Sequence, residues 1–459
     1  MNPLTSSFLI AATGLLLSSC QSGLPEPEPG QASALAPSSW ASSAGSVTPT
    51  RWISTLGSPQ LETLVQEAQQ RNFGLEAASQ RSRAAAAAAR ISKSLRIPSL
   101  NASLRSSKSQ NMANFAPPVA VETDNHSLGL SARWEIDLWN RLGSEAASAV
   151  AQYRASQYEL EAFELSLAGQ VARSWFSAIE ARLQYELAKA SAQSFERNLE
   201  ALEKRYSRGL IDAFDLRLTR SQAAASRATA LSRRQQMDAT LRTLETLLGR
   251  YPSAELELAI AMPKLIPPPA AGIPSDILSN RPDILAEKNR LISALALEQS
   301  ANRNWLPSLA LTASDGTLSN SFSDLLDRDF NVWSIAGDLS VALFQGGRLE
   351  AQREQFNANQ LSQLANYNEV VLQAFREVET ALRGESNLHE LEVATTISAE
   401  ESEQAEQQAW QLYERGLVDI TAVLDAERRA FGAKSQLISI QNQRLQNRIN
   451  LHIALGDEL

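Results

Sequence analysis

The chain has 459 residues, of which 44% are hydrophobic and 6% aromatic, and its formal net charge at pH 7 is −9. An acidic chain without a clustered basic excess is not expected to bind nucleic acid. A single cysteine excludes an internal disulfide framework, and three scattered histidines, His126, His389 and His452, indicate no histidine-based metal site.

The N-terminus predicts an export signal rather than a folded element. Residues 8–17 form an apolar run that is shorter than the roughly 20 residues of a membrane-spanning helix. Residues 1–19 are therefore interpreted as a signal peptide. The run ends in Leu17-Ser-Ser-Cys20, which resembles the bacterial lipobox, so we expect Cys20 to carry a lipid; a free cysteine after an ordinary signal is the alternative. Gln21 follows in place of Asp, which implies sorting to the outer membrane of a Gram-negative cell.

A tether and two helices are predicted next. Residues 20–50 are rich in Pro, Ser, Gly and Ala without apolar periodicity, and they are interpreted as a lipidated tether. Helical spacing of apolar residues begins near Pro59. A second helix is predicted from about Asn72 to the helix-breaking Pro98.

Four segments then alternate apolar and polar residues and predict two β-hairpins, at about 98–139 and 306–345. Strands of about 7–12 residues are expected, close to the length of a tilted transmembrane strand. Four strands cannot close a barrel, and an open edge is not tolerated in lipid. Strands that span a membrane must therefore be shared between subunits, and twelve strands from three chains would close a barrel. Two soluble hairpins that cap a helical bundle are the alternative. The apolar positions are Leu100, Ala102, Leu104, Leu128, Leu130, Ala132, Trp134, Ile136, Leu138, Leu309, Leu311, Ala313, Trp333, Ile335, Leu339, Val341 and Leu343.

The segments that follow the hairpins predict unusually long helices. Residues 141–209 contain no Pro, which allows a helix of roughly 100 Å, and residues 347–416 repeat this pattern. Apolar residues on more than one helix face indicate the wall of a tube, whereas a two-helix coiled coil needs a single seam. The shorter helices expected to run back along the long ones are 72–96, 210–248, 281–304 and 417–455.

The chain also repeats itself at an offset of 207 to 209 residues. Tyr206-Ser-Arg-Gly209-Leu210-Ile-Asp212 returns as Tyr413-Glu-Arg-Gly416-Leu417-Val-Asp419, and Ile97-Pro-Ser-Leu100 returns as Leu306-Pro-Ser-Leu309. Two matches far apart within each half predict two copies of one structural unit. The repeats are assigned to residues 51–262 and 276–459, with a Pro-rich linker at 263–275 between them.

Several segments spread over residues 52–456 carry the motifs of a known family. The most specific is Gly272-Ile-Pro-Ser-Asp-Ile-Leu278 followed by Arg281-Pro-Asp-Ile284. The opening segment from Trp52 to Leu75 and the run Phe344-Gln-Gly-Gly-Arg-Leu349 add to it. On these motifs the chain resembles the TolC-like outer-membrane factors, in particular their lipoprotein (NodT/OprM) type.

The resemblance implies a mainly α-helical fold with a transmembrane β part. A trimeric twelve-stranded β-barrel, with four strands per chain, would continue into a twelve-helix α-barrel. The implied function is the exit duct of a tripartite efflux pump, with a periplasmic adaptor and an inner-membrane pump of the RND type as partners. No catalytic residue, metal or cofactor other than the lipid on Cys20 is expected. The alternatives are a duct for protein secretion and a non-spanning, lipid-anchored coiled-coil protein of the envelope.

The two helix-to-helix turns, at about 206–215 and 413–425, are predicted to be the periplasmic tips. Gly209-Leu210 and Gly416-Leu417 resemble the tip motif that adaptors grip in this family. A plain turn with a C-cap glycine and a buried leucine is the alternative.

The family's gate residues correspond to positions near these tips. Asp215, Tyr413 and Asp425 match gate positions and are expected to form the periplasmic constriction. A further acidic position of the family falls on Ala422 and a basic one on Val418, so a thinner polar lock is implied. For Asp425, a solvated residue near a helix start is the alternative.

Overall fold

The computed structural model of the chain describes residues 36–41, 51–113, 118–265, 267–269 and 271–457. Cys20 and the predicted signal peptide lie outside the described residues, as does most of the predicted tether. The helices are α1 (Trp52–Thr55), α2 (Pro59–Arg71), α3 (Phe73–Ser94), α4 (Arg141–Ser207), α5 (Ala213–Leu247), α6 (Ile277–Asn280), α7 (Pro282–Arg303), α8 (Arg348–Glu414) and α9 (Ile420–Leu455). The strands are β1 (Ser99–Ala113), β2 (Val119–Ile136), β3 (Ser308–Ser319) and β4 (Asn331–Ser340).

The long helices predicted from the Pro-free segments are confirmed. Helices α4 and α8 have 67 residues each, and the return helices α5 and α9 have 35 and 36. The order of helices, strands and long helical hairpin is the same in both halves, which bears out the internal repeat. Within the described ranges, none of the helices combines the length and the apolar character needed to cross a membrane.

The chain divides into two compact units. The first includes residues 81–157 and 286–367 and contains the β-sheet. The second includes residues 51–80, 158–285 and 368–457 and contains both tips. Its main apolar core brings α1 and α2 together with the middle of α4 and the ends of α5 and α9; the largest members are Trp52, Trp175, Phe176 and Leu244.

The sheet is antiparallel, in the order β1-β2-β3-β4. Its register places the predicted apolar residues on one face, because residues directly opposite one another in a sheet point to the same side. Leu104 lies opposite Leu128, and Leu309 lies opposite both Ile136 and Leu339. Other residues of this face are Leu100, Ala102, Leu130, Ala132, Trp134, Leu311, Ala313, Trp333 and Ile335. The alternation predicted from the sequence is therefore confirmed, and most of the large apolar side chains on this face are exposed.

The strand lengths differ from the prediction. Strands β1 and β2 have 15 and 18 residues, longer than expected. The additional pairs, from Ser107 opposite Asn125 to Ala113 opposite Val119, mostly join polar residues. Main-chain hydrogen bonds stabilise this part of the ladder whatever the side chains are. Because its residues are mostly polar, the sequence here lacks the alternation of apolar and polar residues that predicts a strand. Leu138, Val341 and Leu343 lie beyond the strand ends.

Residues 36–41, within the predicted tether, contact the folded part of the second unit. Trp40 is buried, its indole N–H donates to the carbonyl oxygen of Ala271 at 2.9 Å, and its ring meets the ring of Phe375 edge-on. The main-chain N–H of Ala41 donates to a carboxylate oxygen of Glu379 at 2.7 Å. A buried tryptophan therefore fixes this stretch to α8 and to the inter-repeat segment, a contact that the sequence did not predict.

The Arg281 motif, which carried the family resemblance, connects three helices of the second unit. The buried Arg281 guanidinium donates to Asp283 at 2.6 Å, to Glu377 of α8 at 2.9 Å and to the Ala454 carbonyl of α9 at 3.0 Å. Burial of an arginine is tolerated only when its donors are satisfied in this way. The motif thus has a structural role at the start of the second repeat.

A pair of facing glycines brings β2 and β3 together, and replacing one is expected to weaken the sheet. Gly129 lies opposite Gly316, and a Cβ added at Gly316 would meet the Leu128 carbonyl oxygen at 2.4 Å and the Gly129 Cα at 2.6 Å. We expect Gly316→Val to cost about 2 kcal/mol through backbone displacement and to lower the yield of folded, protease-resistant protein. Gly337→Val is the matched control, since a Cβ there meets only the flexible Leu311 side chain at 3.4 Å. Equal yields for the two variants would contradict the prediction.

Candidate functional site

The first tip, at 206–215, joins α4 to α5 through a Schellman turn. The N–H of Gly209 donates to the Tyr206 carbonyl at 2.9 Å, and the N–H of Leu210 donates to the Arg205 carbonyl at 3.0 Å. This pair of hydrogen bonds satisfies the last carbonyls of the helix. Gly209 has a φ of +71°, and an added Cβ would meet nothing within 4 Å. The glycine is therefore required by the backbone angle and not by lack of space.

The second tip, at 413–425, has the same turn between α8 and α9. The N–H of Gly416 donates to the Tyr413 carbonyl and that of Leu417 to the Leu412 carbonyl, both at 2.9 Å. The predicted C-cap glycines are thus observed in both repeats. The leucine after this glycine commonly packs back onto its helix, but here Leu210 is 66% and Leu417 67% exposed. The alternative of a buried leucine is therefore wrong at both turns.

Other apolar side chains are exposed around the two leucines. We call this set the tip surface: Tyr206, Leu210 and Phe214 at the first turn, and Leu412 and Leu417 at the second. Large patches of exposed apolar side chains commonly mark contact surfaces in proteins. The tip surface is the feature of these turns that helix capping alone does not explain.

Asp215 lies in the first turn of α5, where carboxylates of both tips come close together. The Asp212 side chain caps the helix by accepting the N–H of Asp215 at 2.8 Å. Partial burial raises the pKa of Asp215, and the neighbouring carboxylates of Asp212 and of Asp419 in the second tip raise it further. Asp215 is thus positioned where the two tips of one chain approach each other.

Asp425 lies in the second turn of α9 and is paired within its own helix. One carboxylate oxygen accepts from Nε of Arg429 at 2.7 Å, and the other accepts from the guanidinium of Arg428. The hydrogen bond from Arg429 is the main cause that lowers the pKa of Asp425, so this carboxylate is charged at neutral pH. Its negative charge is compensated by two arginines of the same chain.

Tyr413 connects the end of α8 to the end of α4. The Arg205 guanidinium lies over the Tyr413 ring at 5.3 Å from its centroid, and the Trp410 ring meets it edge-on at 6.0 Å. Among the contacts of the described residues, none joins Asp425 to Asp215 or Tyr413. In a single chain, Asp215 and Tyr413 therefore lie where the two helical hairpins approach each other. Asp425 does not take part in these contacts and pairs instead with Arg428 and Arg429.

Sequence reasoning missed a buried carboxylate in the same region, that of Glu427. It accepts hydrogen bonds from the Trp410 indole at 3.2 Å and from the Asn198 side chain at 3.1 Å. Burial is the main cause that raises its pKa to about 7. The sequence does carry a signal: Glu427 continues the apolar stripe of α9 that includes Ile420, Val423 and Ala430.

A protein-family profile and two known proteins each match most of the chain. The profile of a family described as "Outer membrane efflux protein" matches residues 64–250 and 273–457, one match in each half of the chain. The pyoverdine export outer membrane protein OpmQ of Pseudomonas aeruginosa is 30% identical over 458 residues, which cover 96% of this chain and 94% of that protein. The cation efflux system protein CusC of Escherichia coli K12 is 28% identical over 405 residues, 86% of each chain.

A solved structure has the same fold. The crystal structure of a membrane protein from Pseudomonas aeruginosa is similar to this chain with a TM-score of 0.86 and 28% sequence identity. The similarity covers 95% of this chain and 99% of that one. It therefore extends over both units.

Proposed function

The chain belongs to the outer membrane efflux protein family, and from that premise we propose how its residues form and operate an exit channel. It is the outer-membrane channel component of an efflux system and not an enzyme. Its oligomeric state, its lipid anchor, its partners and its gate are the parts of this proposal.

The channel is a homotrimer, and the open edges of the sheet support this assembly. Strands β1 and β4 are the outer strands of the four-stranded sheet. An unpaired strand edge is not tolerated in lipid, and the exposed apolar face of this sheet suits a lipid environment. Pairing β1 of one chain with β4 of the next closes twelve strands in a ring of three chains. The single observation that carries the proposal is this four-stranded sheet with one apolar face and two free edges.

A lipid on Cys20 anchors each chain, and residues 20–35 lead from it to the anchored Trp40. Acyl chains contribute about 0.8 kcal/mol for each buried CH₂. With the strands spanning the membrane, the lipid acts as a second attachment that assists assembly there.

The tip surface binds a periplasmic adaptor, which links the channel to an inner-membrane pump of the RND type. Support comes from the exposed leucines at equivalent places in the two repeats, since Leu210 and Leu417 would present six equivalent leucines in a trimer. An apolar side chain held by a rigid Schellman turn loses little entropy on binding. The pump supplies the energy and selects the substrate, in keeping with relatives named for export of pyoverdine, cations and solvents.

Asp215, Tyr413 and Asp425 form the periplasmic gate of the resting channel. Asp425 keeps its charge in contact with Arg428 and Arg429, so a trimer would place three carboxylates and six guanidinium groups at its narrow end. Tyr413 fixes α8 to α4 through Arg205. Opening then requires the end of α8, together with the start of α9 that carries Asp425, to move away from α4, and this movement breaks the contact between Tyr413 and Arg205.

Planar-bilayer recording of the detergent-extracted oligomer tests the proposal. We expect stepwise conductance from a trimeric species. A purified protein that stays monomeric and conducts nothing would overturn the proposal and favour the non-spanning envelope protein.

A further inference from the structure

Glu427 is a buried carboxylate that the proposed gate does not use. It lies on α9, two turns after the helix begins at Ile420, and only 5% of its surface is exposed. It is surrounded by side chains from α4 and α8 as well as by its own helix. A carboxylate in such a place must be satisfied by hydrogen bonds or become neutral.

The hydrogen bonds of Glu427 all go to one of its two oxygens. Oε1 accepts from Nε1 of Trp410 at 3.2 Å, from Nδ2 of Asn198 at 3.1 Å and from Oγ of Ser194 at 3.5 Å. Oε2 is buried and has no hydrogen-bond partner among the described residues. Ionisation would spread negative charge over both oxygens, so the charged form leaves half of that charge without a donor.

No positive charge offsets this cost within the described part of the chain. Helix α4 presents the neutral groups of Ser194 and Asn198, and α8 presents Trp410 together with the acidic Glu406. On α9, Arg428 and Arg429 are engaged by Asp425, and Lys434 pairs with Glu403. Burial is therefore the main cause that raises the pKa of Glu427 to about 7, and repulsion by Glu406 adds to it.

The side chains around Glu427 also belong to the packing that joins α4, α8 and α9 near the tip. An apolar cluster formed by Phe195 and Leu202 of α4 with Ile420 and Val423 of α9 lies beside it, with Trp410 and Tyr413 of α8 packed against the cluster. Trp410 thus contacts both the Glu427 carboxyl and the ring of Tyr413. A change in the charge of Glu427 acts on the same three helices that the proposed gate must move.

We propose that Glu427 is a positioning residue for the tip, whose protonated form holds the start of α9 against α4 and α8 and whose ionisation loosens this packing in favour of the open tip. The proton is exchanged with water, so no other reactant is needed. The inference rests on the proposed channel function and adds a proton-controlled element to it.

The direction of the pH effect follows from the raised pKa. The packed state holds its proton up to about pH 7, whereas an exposed glutamate releases it near its ordinary pKa of about 4.3. At pH values below the ordinary pKa, Glu427 is protonated in both the packed and the open tip, and the packed tip has its full stability. Between the two values, rising pH disfavours the packed tip by up to about tenfold per unit. Acid therefore favours the closed tip and neutral to alkaline pH favours opening.

Single-channel recording of the detergent-extracted oligomer between pH 5 and pH 8 tests the inference. For the wild type we expect the open probability to rise at least tenfold over this range. Glu427→Gln keeps an acceptor for Trp410 and Asn198 but cannot ionise, so its open probability should stay at the low acidic level throughout. Glu406→Gln removes a repelling charge and should shift the midpoint of the wild-type profile to lower pH.

Glu180→Gln is the matched control, because burial also raises the pKa of Glu180, which instead contacts Asn442 farther along α4 and α9. Its profile should equal that of the wild type. A Glu427→Gln channel with the wild-type pH profile would overturn the inference, as would an unshifted midpoint in Glu406→Gln. If Glu427→Gln does not assemble, the Glu406→Gln midpoint decides. A wild type that conducts without pH dependence contradicts this inference alone, whereas a wild type that never conducts contradicts the channel function itself.

Discussion

Replacing Leu210 and Leu417 together by glutamate is expected to abolish export while the oligomer still assembles and conducts. The two leucines are largely exposed in a single chain and contribute little to its core. Placing a carboxylate in an apolar contact with an adaptor costs several kcal/mol per site unless it is paired. Loss of export should appear as drug or metal sensitivity equal to that of a strain that lacks the channel, and cross-linking to the adaptor should be lost.

The control for this pair is Leu326→Glu, which changes a leucine that is 87% exposed in the connection between β3 and β4. Its export should stay at the wild-type level. The adaptor assignment would be refuted if the double variant exported normally. Single variants should show intermediate loss, because each repeat provides one of the two leucines.

The second large effect is expected for Asp425→Ala, which should leave assembly intact and increase leakage severalfold. Removal of the carboxylate frees Arg428 and Arg429, which it contacts in the wild type. Two unpaired arginines per chain would then repel their copies around the axis of the trimer, and the narrow end would widen. The measurement is single-channel conductance of the purified oligomer together with the uptake of a large antibiotic by cells.

Glu414→Ala serves as the comparison, since Glu414 is an exposed carboxylate at the end of α8 in the same tip. It should leave conductance unchanged. Asp425→Asn should behave like Asp425→Ala, because it removes the same charge. Conductance and antibiotic sensitivity equal to those of the wild type in Asp425→Ala would remove Asp425 from the gate.

Much of the fold could be predicted because strong local signals set it. The absence of Pro over the long segments allowed α4 and α8, and Gly209 and Gly416 marked their ends through the positive φ that each turn requires. Alternation of period two located the apolar face of the sheet. These features depend on residues close in sequence, so a single sequence was sufficient to predict them.

What the sequence analysis missed depends on contacts between distant segments. Trp40 stands in a segment without periodicity, and its partners Ala271 and Phe375 lie more than 200 residues away. Glu427 lies on an apolar stripe of α9, but the side chains of Trp410 and Asn198 that enclose it come from other helices and are distant in sequence. The arginine partners of Asp425 were visible in the sequence at helical spacing, but their contacts required the side-chain geometry.

Imaging of single particles of the detergent-extracted protein tests the central claim most directly. We expect three-fold symmetric, hollow particles in which four strands and a helical wall from each chain surround one continuous lumen. Solid, single-chain rods without a lumen would contradict the assembly and, with it, the transport function assigned to this chain.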